Sequence, residues 1–137
     1  MKKKYFLISH NEFAHGLKKA LEMIIGVQEN VFSFGLMPGN HPDDIAKEIE
    51  LMITDDTQAV ILGDIAGGSV CNSALPLTEN PNVALITGVN LPLALEIIIS
   101  QTTSYKNIET IIKEVRDGIK LLELPLTNSG TEEDFFK

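Results

Sequence analysis

Short, continuously apolar runs alternate with amphipathic helical patterns along the chain, and this alternation leaves few folds open. Tyr5-Phe6-Leu7-Ile8, Val31-Phe32-Ser33-Phe34-Gly35-Leu36, Ala59-Val60-Ile61-Leu62-Gly63 and Val83-Ala84-Leu85-Ile86 read as strands. Between the first two, Phe13, Leu17, Ala20, Leu21, Ile24 and Ile25 recur on one helical face, and Gly26 stands where a C-cap glycine would. Pro42 suits the first turn of a second helix with Ile45, Ile49, Met52 and Ile53 on its buried side. Ser69 reads as the N-cap of a third helix. Pro92 opens a fourth, with Leu93, Ile97 and Ser100 along one side, and Ile108, Ile111, Ile112 and Val115 mark a fifth. Strands apolar on both faces, alternating with such helices, imply an α/β fold. The expected architecture is an open, doubly wound, mostly parallel four-stranded sheet with helices on both faces.

The chain of 137 residues is one domain in length, and its 44% apolar and 22% charged residues are those of an ordinary globular protein. No apolar run approaches the roughly 18 residues of a membrane span. Lys2, Lys3 and Lys4 precede an apolar stretch too short for a signal peptide, so a cytoplasmic chain is expected. A net charge of −8 argues against nucleic acid as a partner and disfavours direct docking on anionic lipid. The acid gathers in Asp43-Asp44 to Asp55-Asp56 and in Glu132-Glu133-Asp134. These read as solvated surface or as a face for a basic protein partner. Cys71 is the single cysteine, which rules out an internal disulfide and reads as helix packing.

In a parallel sheet of this kind the strand ends at His10, Asp64 and Thr87-Asn90 share one edge, where such folds bind ligands. An imidazole acting as a nucleophile needs one nitrogen free and the other held as N–H; a carboxylate accepting that N–H fixes the tautomer. Asp64 is the natural candidate, although it reads equally as a loop-starting aspartate with an Asx turn. Gly67-Gly68-Ser69 then leads into a helix start, where backbone N–H groups favour an anion. Histidine, carboxylate and anion cradle together suit a phosphohistidine. The loop lacks the Lys-Ser/Thr of a P-loop and the closing glycine of a nucleophile elbow. His15 reads as surface and His41 as a turn or cap residue; His10 and His41 have no third ligand at useful spacing. Neither a metal nor a cofactor is expected.

Four segments together resemble a known family: Ile8-Ser9-His10-Asn11-Glu12-Phe13-Ala14-His15-Gly16-Leu17, Pro38-Gly39, Asp64-Ile65-Ala66-Gly67-Gly68-Ser69-Val70-Cys71-Asn72 and Gly88-Val89-Asn90-Leu91-Pro92. They are similar to the IIA domains of the mannose class of the bacterial phosphoenolpyruvate-dependent sugar phosphotransferase system (PTS), over about residues 1–124, with 125–137 as a polar tail. The resemblance implies that His10 accepts a phosphoryl group on Nε2 from the phosphocarrier protein HPr. It further implies that Asp64 orients His10 and that Gly67, Gly68 and Ser69 accommodate the phosphate. The acceptor would be a separate IIB subunit, serving sugar uptake through membrane IIC and IID subunits. It also implies a homodimer that exchanges a C-terminal strand, which favours an edge strand at 119–124 over a helix continuing through Gly118. The chain departs from the family pattern at Asn11, where glycine is usual, at Ile65, where a hydroxyl is frequent, and at Val70, where proline is common. Two neighbouring readings are a phosphorylation-responsive regulatory module of the same fold and the phosphoryl donor of a dihydroxyacetone kinase. The Gly-Gly-Ser and Gly-Val-Asn-Leu-Pro segments favour the mannose class.

Overall fold

The computed structural model describes residues 1–126. Along the chain run β1 (Lys2–His10), α1 (Phe13–Ile25), β2 (Val31–Leu36), α2 (Pro42–Met52), β3 (Thr57–Gly63), α3 (Ser69–Ala74), β4 (Val83–Ile86), α4 (Leu91–Ser100) and α5 (Tyr105–Arg116). A 3-10 segment, Leu75–Glu79, prolongs α3. The sheet is open and entirely parallel, in the order β2-β1-β3-β4. This is the expected architecture, in four strands and two helical layers.

Strand alternation sorts the core. Tyr5 and Leu7 of β1, with Val60 and Leu62 of β3, face α1, α4 and α5; Phe6, Ile8, Ala59 and Ile61 face α2 and α3. Both faces are covered, so these strands can be apolar throughout. Each wholly buried Leu or Ile contributes about 1.5–3 kcal/mol relative to exposure. The lysines that open β1 have a structural task. Lys3 donates to the Gln101 carbonyl at 2.8 Å and Lys4 to the Met52 carbonyl at 2.7 Å, so adjacent lysines reach the carboxyl ends of helices on opposite faces. Cations are favoured there because the last carbonyls of a helix have no intrahelical donor.

Several local expectations are corrected. Phe13 and Ile24 are 50% and 57% exposed, because the buried stripe of α1 is centred on Ala14, Leu17 and Leu21. Phe13 lies 100° round the helix from Ala14, outside that stripe. The N-cap of α3 is Gly68, in extended conformation, and Ser69 is the first helical residue. Ser100 is exposed, and Ile98 takes the buried place beside Ile97. α5 ends at Arg116, two residues before Gly118, which the helix therefore does not pass. Residues 119–126 form no strand in the single chain. The acidic tail and Phe135-Phe136 lie outside the described residues.

Candidate functional site

The chain leaves β1 to form β2 on one side and later returns to form β3 on the other, so β1 is where the winding reverses. The crevice at such a reversal is open because the connections leave it in opposite directions. His10 ends β1, and Asp64 immediately follows β3. Pairing of Ile8 with Gly63 brings the two within reach across 54 positions of sequence.

The contact is double. Asp64 Oδ2 accepts the His10 backbone N–H at 2.8 Å and lies 2.8 Å from His10 Nδ1. With the carboxylate ionised, Nδ1 carries the proton and Nε2 keeps its lone pair. Asp64 Oδ1 accepts the N–H of the next residue, Ile65, at 2.9 Å, one residue short of the reach that defines the expected Asx turn. Burial pushes the Asp64 carboxyl up, but the His10 backbone N–H, the His10 ring and the Ile65 N–H outweigh it. The carboxyl therefore sits below its ordinary 3.8. The His10 side chain is 47% exposed and that of Asp64 15%, so the ring faces solvent while its carboxylate is sheltered.

The glycine loop lies on the free nitrogen's side. Ser69 Oγ is 3.4 Å from His10 Nε2. A Cβ on Gly68 would stand 2.8 Å from the Ile65 Cγ2 methyl and 3.3 Å from His10 Cε1, so the absent side chain keeps the space beside the ring clear. Gly67 shapes the turn, with φ of +78°, a left-handed conformation natural to glycine. Asn72 Nδ2 donates to the Gly67 carbonyl at 3.1 Å and pins the loop to α3.

The remaining candidates divide: His41 and Cys71 stand where the sequence placed them, and His15 does not. The third strand end does not join the site: Val89 N–H donates to the Gly63 carbonyl at 3.0 Å, and Asn90 Oδ1 caps α4 by accepting from Leu93 N–H at 2.9 Å. His15 is half-buried, with Nδ1 2.7 Å from Ser33 Oγ on β2, because its place on α1 faces that strand. His41 is the N-cap of α2, accepting from Asp43 N–H at 3.2 Å. Among the described residues no three metal-ligating side chains come together. Cys71 is buried as expected but also touches the site, its thiol 3.9 Å from Asp64 Oδ1. Burial pushes that thiol up, and the neighbouring carboxylate adds to the shift, although nearby backbone N–H groups oppose it. Periodicity marked Cys71 as buried; nothing local indicated what it would meet.

Residues 4–116 match the family described as "PTS system fructose IIA component". The chain belongs to this family. The match is to the mannose-class IIA domain of the PTS, whose members are phosphotransfer components of sugar uptake. The sorbose-specific EIIA component of Klebsiella pneumoniae is 33% identical over 98 residues, 69% of this chain and 72% of that one. The mannose-specific EIIAB component of Escherichia coli K12 is 29% identical over 122 residues, covering 84% of this chain and 38% of the longer protein. Among solved structures, the PTS IIA protein associated with the fucose utilization operon of Streptococcus pneumoniae superposes with a TM-score of 0.77 at 30% identity. That match covers 88% of this chain and 93% of the other.

Proposed function

We propose that His10 of this IIA domain is a transient phosphoryl carrier, loaded by the phosphohistidine of HPr and unloaded to a IIB component of a sugar transporter. The observation that carries this reading is the pair of hydrogen bonds from the His10 backbone N–H and Nδ1 to Asp64 Oδ2, a geometry that favours the tautomer with Nε2 free on a half-exposed ring. In the loading step the Nε2 lone pair attacks phosphorus in line as the donor's N–P bond breaks, and that electron pair returns to the donor imidazole. The Nδ1 proton stays between ring and carboxylate, so the charge arising on the ring meets Asp64 at 2.8 Å. The Ser69 hydroxyl is placed to donate to a phosphoryl oxygen. Gly67 and Gly68 shape and clear the space beside it. Positioning and charge stabilisation supply most of the catalysis in such transfers. Unloading to IIB is the same step in reverse order.

The reading takes residues 1–124 as the IIA domain, working in the cytoplasm as a homodimer. Support for the dimer comes from β4, whose outer edge has no partner strand among the described residues, and from the apolar groove beside it. Ile119, Leu121, Leu122 and Leu124 are all more than 80% exposed in the single chain. An exchanged strand would cover both.

Incubation with enzyme I, HPr and labelled phosphoenolpyruvate tests the carrier role. Wild-type chain should take up label, His10→Ala none, and His15→Ala nearly the wild-type amount; an unlabelled wild type overturns the reading. Passage of label to a IIB component separates a transport role from a purely regulatory one.

A further inference from the structure

Asn11, the residue after the histidine, has φ of +51° and is one of two non-glycine residues in the left-handed region among those described. Something must hold it there. The start of α1 gives a second sign: its N-cap, Glu12, makes no side-chain capping bond. The cap comes from inside the sheet. Ser9 Oγ, wholly buried, accepts the Ala14 N–H at 2.7 Å and donates to the Asn11 carbonyl at 3.4 Å. From the other side Asn11 N–H donates to the Leu36 carbonyl, at the end of β2, at 2.8 Å. The turn lies so close to β2 that a Cβ on Gly35 would run into the Asn11 carbonyl oxygen.

We propose that Ser9 and Gly35 are positioning residues for His10. They hold the Asn11 turn against β2 and so fix the backbone from which the imidazole reaches Asp64. The His10 N–H and Nδ1 share one carboxylate oxygen, so both bonds survive only while backbone and ring keep their relative placement. The β1 ladder holds His10 from the amino-terminal side; Ser9 and Gly35 hold it from the carboxyl-terminal side. Losing either clamp frees the ring to rotate and to exchange tautomers, which lowers the fraction with Nε2 free and aimed outward. The consequence for phosphoryl transfer rests on the carrier reading above; the consequence for the ring does not.

The test compares Ser9→Ala, Ser9→Thr and Gly35→Ala with wild type and with Gly16→Ala, a substitution into open space on α1. Two readouts are used: the 15N signature of the His10 tautomer, and the rate of phosphoryl uptake from HPr. For folded Ser9→Ala and Gly35→Ala, the proposal expects a mixed His10 tautomer. It also expects a tenfold or greater fall in kcat, with KM for phospho-HPr changed less than threefold. Ser9→Thr should restore the single tautomer, and Gly16→Ala should match wild type. Wild-type tautomer and rate in both alanine variants would overturn the proposal. So would fast solvent exchange of the Asn11 and Ala14 amides in wild-type protein, a measurement that needs no variant to fold. A wild type that takes no phosphate but loses its tautomer in the variants would overturn the carrier reading alone.

Discussion

A carboxylate that accepts two N–H groups from one histidine fixes where that histidine sits and which of its nitrogens is free. Asp64→Asn tests this at the level of one atom. The fold should persist, since the amide is nearly isosteric. The amide can, however, donate to Nδ1 and so stabilise the tautomer that has its proton on Nε2. Phosphoryl uptake is expected to slow by on the order of 10²-fold or more, judged from comparable tautomer losses in other catalytic histidine–carboxylate pairs. The same residue carries a stability signature. Its carboxyl is held below 3.8 in the fold, so its contribution is fully present above that value and is lost as pH falls through the lowered one. Acid titration of stability should therefore be shallower in Asp64→Asn than in wild type below about pH 4. His10 and Asp64 were both legible as strand-end residues. The Ile65 N–H, the Cys71 thiol and the Ser9 hydroxyl were not, because each acts through a contact that no hydropathy pattern encodes.

Single elements are joined to the sheet at its amino-terminal edge by polar contacts inside an apolar layer. Tyr5 is wholly buried, and its hydroxyl donates to the Thr102 carbonyl at 3.0 Å, tying β1 to the chain after α4. Tyr5→Phe leaves that carbonyl without this donor and should cost about 1 kcal/mol in urea denaturation. Burial pushes the phenol from 10.0 up to about 12. The neutral form is thus preferred in the folded state, and its share of stability is intact below pH 10 and is lost as pH rises from 10 to about 12. Tyr5→Phe should lack this alkaline decline. Helix caps were partly readable from sequence: Gly26 and Pro42 stand where punctuation placed them. Ser69 does not, because an extended glycine can precede a helix as readily as a serine, and Gly68 leaves the ring its space.

At the scale of the whole molecule, the outer edge of β4 has no partner strand among the described residues. The groove there is lined by Ala84, Ile86, Ile108 and Ile112, and the segment after α5 exposes five large aliphatic side chains, Ile119, Leu121, Leu122, Leu124 and Leu126. An unpaired, apolar sheet edge invites a strand from another chain. Truncation after Gly118 should convert a dimer to a monomer in sedimentation velocity while leaving the helical circular dichroism nearly unchanged. A full-length chain that sediments as a monomer at micromolar concentration would remove the exchanged strand from the reading.

By itself the sequence determined the class of fold, the order of its elements and the residues at each strand end. Those depend on which faces are buried, and burial leaves a period of about 2 or 3.6 in the chain. Only the tertiary structure decided which strands are neighbours. The order β2-β1-β3-β4 sets β3 beside β1, and so brings Asp64 to His10 while the loop before Asn90 is bound to β3 instead. Periodicity reports that a strand is covered on both faces but carries no information about its partner. That choice is made by crossovers and packing between residues far apart in the chain.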